Sequence, residues 1–146
     1  MLGALLHDIG HLSAVPGSEM MGSVGIKGHE MIGGAYLRSK GFSNKVAELV
    51  ESHVLVKRYL TFKDPEYLAR LSESSLTSLK YQGGPLSKEE AEKFERDPLF
   101  KLKVKLRGWD EEAKIVDLKV PELETYRDMM LDHLTVQAKK TVAATA

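Results

Sequence analysis

The sequence predicts an all-α domain. Apolar residues recur at three- and four-residue spacings, strand patterns are almost absent, and helix start and stop residues punctuate the chain at regular intervals. Residues 1–9 read as a first helix, uncapped, with Leu2, Leu5, Leu6 and Ile9 on one apolar face. The segment HLSAVPGSEMMGSVGIKG that follows is rich in Gly, Ser and Met and reads as a loop. A loop of that length inside a compact domain is usually functional or disordered. Residues 29–40 form a second helix that stops at Gly41. Ser43 caps a third over residues 44–60. Asp64-Pro65 opens a short fourth, with Pro65 at the tolerated first position. A fifth runs through SSLTSLKYQ to Gly83-Gly84-Pro85, and Ser87 with Glu90 makes a capping box for a sixth. Asp97-Pro98 starts a seventh over residues 99–115, and Pro121 an eighth through His133. Residues 135–146 lack a periodic face and are expected to form a frayed, flexible tail, which leaves one domain over residues 1–134.

Composition removes several function classes. Lys plus Arg equals Asp plus Glu at 21 each, so the 146-residue chain has no formal net charge and a pI near 7. Nucleic-acid binding, which needs a basic footprint, is not expected. The absence of cysteine rules out disulfides, thiolate nucleophiles and sulfur-ligated zinc. Any metal must be held by His, Asp, Glu and water, a donor set suited to iron, manganese or zinc. No apolar run approaches a membrane span, and the first residues lack the basic region of a secretion signal, so the cytoplasm is the default location.

Polar residues occupy positions where helix periodicity calls for apolar ones. His7 and Asp8 are adjacent on the first helix, and His11 follows His7 by four residues. Burying ionisable groups on an apolar face is costly unless a hydrogen-bond network or a metal compensates them. On the third helix the inward stripe is Val46, Leu49, Val50, His53, Lys57 and Leu60. A lone inward His is commonly a core residue bonded to a neighbour, but a Lys one turn further on is better explained by an anionic ligand. His29 falls in register with Ile32, Gly33 and Tyr36 and also points inward; Gly33-Gly34 would permit close backbone approach. On the fifth helix Ser75, Ser78 and Gln82 line one face, either a solvated face or a row of short donors for an oxyanion. On the seventh, Leu99, Leu102, Leu106, Trp109 and Ala113 mark the expected buried stripe. Asp110 stands at its border, the position of a salt-bridge partner or a ligand. Together the His and Asp residues suit a hard-to-borderline metal site, and the two oxygens of Asp8 suit a bridge between paired metals.

The run LLHDIGH resembles the signature of the HD-domain metalloenzymes, whose adjacent His-Asp pair binds metal at the centre of a helical bundle. GHEMIGGAYLRSKGFS, ESHVLVKRYL, SLKYQGGP, LRGWDEEAKIVDLKVP and YRDMM together resemble the PhnZ-type phosphonate oxygenases, and the resemblance extends over residues 1–134. It implies an HD-domain bundle with a central pair of iron ions (Fe2+/Fe3+), though another divalent metal could occupy the same ligands. His7, Asp8, His29, His53 and Asp110 match metal ligands, with Asp8 bridging. His7, Asp8 and Asp110 then form the catalytic centre. His11, Lys57, Ser75, Ser78 and Gln82 match the groups that hold the phosphonate and its neighbouring hydroxyl. The family carries a further metal-binding histidine upstream of the HD helix. The sequence here opens at that helix, so the expected set for the first iron is His7, Asp8, Asp110 and water. The first helix would then expose an apolar patch that favours a homodimer.

The activity implied is oxygen-dependent cleavage of the carbon–phosphorus bond in a small 1-hydroxyphosphonate similar to 2-amino-1-hydroxyethylphosphonate, with release of phosphate. A metal-dependent phosphohydrolase is the alternative, since phosphate esters present the same tetrahedral oxyanion. A third reading is a catalytically impaired HD-domain protein that binds or regulates.

Overall fold

Local capping chemistry sets most of the helix boundaries. The Ser43 hydroxyl accepts the Val46 N–H, Asp64 accepts that of Glu66, Ser72 that of Ser75, and Ser87 that of Glu90. Glu90 returns the bond to the Ser87 N–H and completes the expected capping box. Gly41, at φ +87°, stops the second predicted helix in the left-handed region where glycine carries no steric penalty.

The computed structural model describes residues 1–113 and 117–145, and it is all-α. Its helices are α1 (Leu2–Leu5), α2 (Ile9–Ser13), α3 (His29–Ser39), α4 (Asn44–Glu51), α5 (His53–Lys63), α6 (Pro65–Arg70), α7 (Glu73–Tyr81), α8 (Lys88–Glu95), α9 (Phe100–Glu112) and α10 (Arg127–Thr145). A 3-10 turn over Leu123–Tyr126 precedes α10. The pairing of Met20 with Ile26 in the loop before α3 is an isolated bridge. Among the described residues no helix is long and apolar enough to cross a membrane.

Four expectations need correction. The helix predicted over 1–9 is two short ones, α1 and α2, broken at Leu6–Asp8. The helix predicted over 44–60 breaks at Ser52, whose hydroxyl donates to the Leu49 carbonyl, and continues as α5 to Lys63. The buried stripe of α9 runs through Lys103, Leu106 and Arg107, while Trp109 (36% exposed) and Ala113 face outward. Residues 135–145 continue α10 as helix instead of leaving it at His133. Its first turns are anchored: His133 Nε2 accepts the Ser43 N–H, and Met129 and Met130 pack on the core. The predicted end of the seventh helix at Ile115 lies outside the described residues.

The core consists of two clusters. Leu2, Leu37, Val46 and Val50 form one, joined by Leu6, Ile9 and Phe42. Val56, Tyr59, Leu86, Ala91 and Phe94 form the other, with Phe100 closing an edge-to-face aromatic trio. Along the chain His53 lies between Val50 of the first and Val56 of the second, a seam in the sequence between the two clusters. The expected glycine notch is present. Gly33 abuts the Gly10 backbone and Val50, and Gly10 lies directly against the His29 carbonyl. That contact clamps α2 onto α3 and brings Asp8, just before α2, to the first turn of α3.

Candidate metal centre

Each imidazole at the seam is aimed by its own backbone. His7 Nδ1 bonds the Ala4 carbonyl at 2.7 Å, His29 Nδ1 that of Ile26 at 3.0 Å, and His53 Nδ1 that of Val50 at 2.7 Å. In all three the acceptor lies three residues back. An Nδ1–H donated to a carbonyl leaves Nε2 as the nitrogen with a lone pair, which is the orientation a metal-binding histidine requires. The three Nε2 atoms converge on Asp8. Its Oδ1 lies 3.5 Å from His29 Nε2 and 3.6 Å from His53 Nε2, while its Oδ2 lies 3.3 Å from His7 Nε2. Asp110 Oδ1 completes the second side at 3.5 Å from His7 Nε2. Asp8 therefore divides its two oxygens between two groups of side chains.

The spacing fits a first-row metal. Bonds of about 2.1 Å to nitrogen and oxygen place neighbouring ligand atoms roughly 3.0–3.4 Å apart, depending on geometry. The ligand separations here run from 2.9 to 3.6 Å, and Asp8, His29 and His53 each offer an atom within 4.8 Å of the others. The 2.9 Å separation of His29 Nε2 from His53 Nε2 is the sharpest sign. With both Nδ1–H groups donated to carbonyls, two Nε2 lone pairs face each other, an arrangement that a cation between them would relieve.

The electrostatics agree. Burial alone would lower the His7 imidazole, but Asp110 and Asp8 bonded to it carry its pKa up to about 10. Burial would raise Asp8, yet His29 and His7 hold its carboxyl well below the usual carboxylate range. His53 is pushed down to about 3, chiefly by burial and despite its bond to Val50. It is thus a neutral donor, whereas Asp8 and Asp110 favour a positive charge at His7 Nε2, which a proton supplies unless a metal ion displaces it. Burial also lowers His11.

A cavity of about 480 Å³ opens over Asp8. His11, Lys57, Ser75, Ser78, Gln82 and Asp110 line it with Asp8, His29 and His53, and His7 reaches the same place through Asp8 and Asp110, so the ten candidate residues from the sequence gather together. His11 does not share a helix face with His7, because the chain breaks between them; it stacks on His29 with ring centroids 4.0 Å apart. Its Nδ1 accepts the Ile26 N–H at 3.3 Å, which ties the glycine-rich loop to the cavity rim. Lys57, buried, donates to Ser78 Oγ at 2.8 Å, and Ser78 donates on to the Ser75 carbonyl. Gln82 Oε1 is buried and has no hydrogen-bond partner among the described residues. Lys57, Ser75 and Ser78 give this lining short donors around an ammonium, suited to a tetrahedral oxyanion.

Sequence reasoning missed the contributions of the loop before α3 and of Arg107. Met21, fully buried, and Gly25 bring the loop into the lining, and Arg107 enters it from α9. The available signal for Arg107 was its placement three residues before Asp110 and four before Glu111.

No family model matches the chain. It is similar to the uncharacterized protein L432 of Acanthamoeba polyphaga mimivirus, 43% identical over 136 residues, covering 92% of this chain and 62% of the relative. It is also similar to the [1-hydroxy-2-(trimethylamino)ethyl]phosphonate dioxygenase (glycine-betaine-forming) of Leisingera caerulea. There the identity is 39% over 130 residues, 89% of this chain and 66% of that enzyme. A hydroxymethylphosphonate dioxygenase of Gimesia maris is 38% identical over 124 residues, 84% of this chain and 61% of that enzyme. The chain spans somewhat less than two thirds of the length of these relatives. Two of the three carry a phosphonate dioxygenase name.

Proposed function

We propose that the chain is an HD-type, two-iron oxygenase domain that cleaves the carbon–phosphorus bond of a small 1-hydroxyphosphonate. The observation that carries this reading is the division of Asp8: one oxygen toward His29 and His53, the other toward His7, with Asp110 on that second side. A carboxylate with an oxygen in each of two ligand groups is the arrangement that two adjacent metals need. The relatives support the substrate class, because both named dioxygenases act on phosphonates whose phosphorus-bearing carbon also carries a hydroxyl.

The iron pair, when bound, would couple oxidation of that carbon to reduction of dioxygen. The chain's own residues bind and orient. Lys57 neutralises one phosphonate charge from a buried position, and the Ser75 and Ser78 hydroxyls offer hydrogen bonds to the phosphonate oxygens. Gln82 and His11, which also line the cavity, would face the phosphonate and the adjacent hydroxyl. Seating the anion against this wall leaves the reacting carbon toward Asp8. One molecule of dioxygen closes the balance: the C–P and C–H bonds of that carbon and the O–O bond break, one oxygen atom ends in the carboxylate and the other in hydrogen phosphate, and one proton is released.

Iron loading of the anaerobic protein, followed by 2-amino-1-hydroxyethylphosphonate or hydroxymethylphosphonate with and without oxygen, tests the reading. Oxygen-dependent phosphate release is expected. Release from a phosphate ester without oxygen would identify a phosphohydrolase instead, and metal binding without turnover of either would leave a binding protein. Lys57→Ala is expected to raise KM for the phosphonate roughly 10- to 100-fold, the loss of one charge-assisted hydrogen bond worth about 1.5–3 kcal/mol. A KM within twofold of the parent would remove Lys57 from the anion site.

A further inference from the structure

Arg107 is the most deeply buried guanidinium beside the site, 4% exposed on α9. Its fork is committed in three directions. Nε donates to Tyr67 Oη at 2.9 Å, Nη1 to Asp110 Oδ2 at 2.5 Å, and Nη2 to the Glu111 carboxylate. Tyr67 Oη donates in turn to Glu111 Oε1 at 3.1 Å. Arg–carboxylate pairs three or four residues apart on an exposed helix contribute little and would need no further account. This one is different in two respects. It is buried, where leaving one partner unpaired is strongly destabilising. It also reaches across to α6 through Tyr67, so the guanidinium is held from outside its own helix.

The consequence falls on Asp110. With Oδ2 taken by Arg107, Oδ1 is the oxygen turned toward His7 Nε2. We propose that Arg107, locked by Tyr67 and Glu111, is a positioning residue that presents Asp110 to the His7 side of the metal pair through Oδ1 alone. The assignment rests on the metal reading above and names what sets that reading's least symmetric ligand. An outer partner of this kind typically changes metal affinity by 10- to 100-fold when removed.

The test is titration of the full chain with Mn(II), whose free ion is read directly by electron paramagnetic resonance, with helicity followed by circular dichroism. The parent is expected to bind two equivalents. Arg107→Gln should weaken one equivalent by at least tenfold and leave the other, held by His29 and His53, within twofold. Arg107→Lys keeps the charge but cannot span three partners, so it should recover part of that loss. Tyr67→Phe, which keeps the ring and removes the hydroxyl, should weaken the same equivalent severalfold; it carries the test if Arg107→Gln does not fold. Two equivalents at parental affinity in both Arg107→Gln and Tyr67→Phe would overturn the positioning role while leaving the metal pair intact. A parent that binds no Mn(II) would overturn the metal reading and this inference with it.

Discussion

Asp8→Ala is expected to abolish binding of the metal pair, with stoichiometry falling from two to one or none and residual affinity at least 100-fold weaker. Removing this side chain takes a ligand from both groups at once, whereas any single histidine belongs to one. The fold should survive the change. Asp8 precedes α2 at its N-cap position but makes no side-chain capping bond there, so helix stability loses little. Without the carboxylate, His7 keeps Asp110 and His29 keeps Glu30, 3.7 Å from its Nδ1, but the group shared by both sides is gone. Elemental analysis of protein loaded with ferrous iron and desalted, beside circular dichroism, decides the matter. Retention of two tightly bound equivalents in a folded variant would contradict the bridging role.

Gly10→Ala is expected to destabilise the chain by about 3 kcal/mol or more, or to prevent folding. Helix propensity argues the other way, since alanine is favoured over glycine by about 1 kcal/mol within a helix. The contact decides. A Cβ at this position would stand 1.8 Å from the His29 carbonyl oxygen and 2.9 Å from the Gly33 nitrogen, both main-chain atoms that cannot turn aside. Relief requires α2 to lift from α3, which also carries Asp8 away from His29. Urea denaturation measures the first effect and metal titration of the surviving folded fraction the second. A midpoint equal to that of the parent would show that the two helices are not clamped there.

How much of this was legible in the sequence follows from the range of the interactions involved. Ser43, Asp64-Pro65, Gly41 and the Ser87–Glu90 box act within four residues, so their helix boundaries could be placed without the fold. The inward positions of His29, His53 and Lys57 were legible because a polar residue on an apolar stripe breaks a pattern that the rest of the stripe maintains. The break between α1 and α2 was hidden, since Leu2, Leu5, Leu6 and Ile9 keep helical spacing straight through it. Its cause is tertiary: the Gly10 backbone contact and the convergence of His7 and Asp8 on side chains from α3 and α5. Arg107 was missed for a related reason. A binary pattern assigns arginine to the surface, and only the combined presence of Tyr67, Asp110 and Glu111 makes its burial tolerable; Trp109 is displaced outward as a result. The helical course of residues 135–145 needs no packed face, because Ala, Lys and Gln favour helix intrinsically.

The accessibility of Asp8 has an outcome for the order in which the site fills. Its side chain is 57% exposed, while the imidazoles of His29 and His53 behind it are nearly sealed. On the proposed function, ions would load through the same mouth that admits the organic anion, and an anion seated after them would slow their escape.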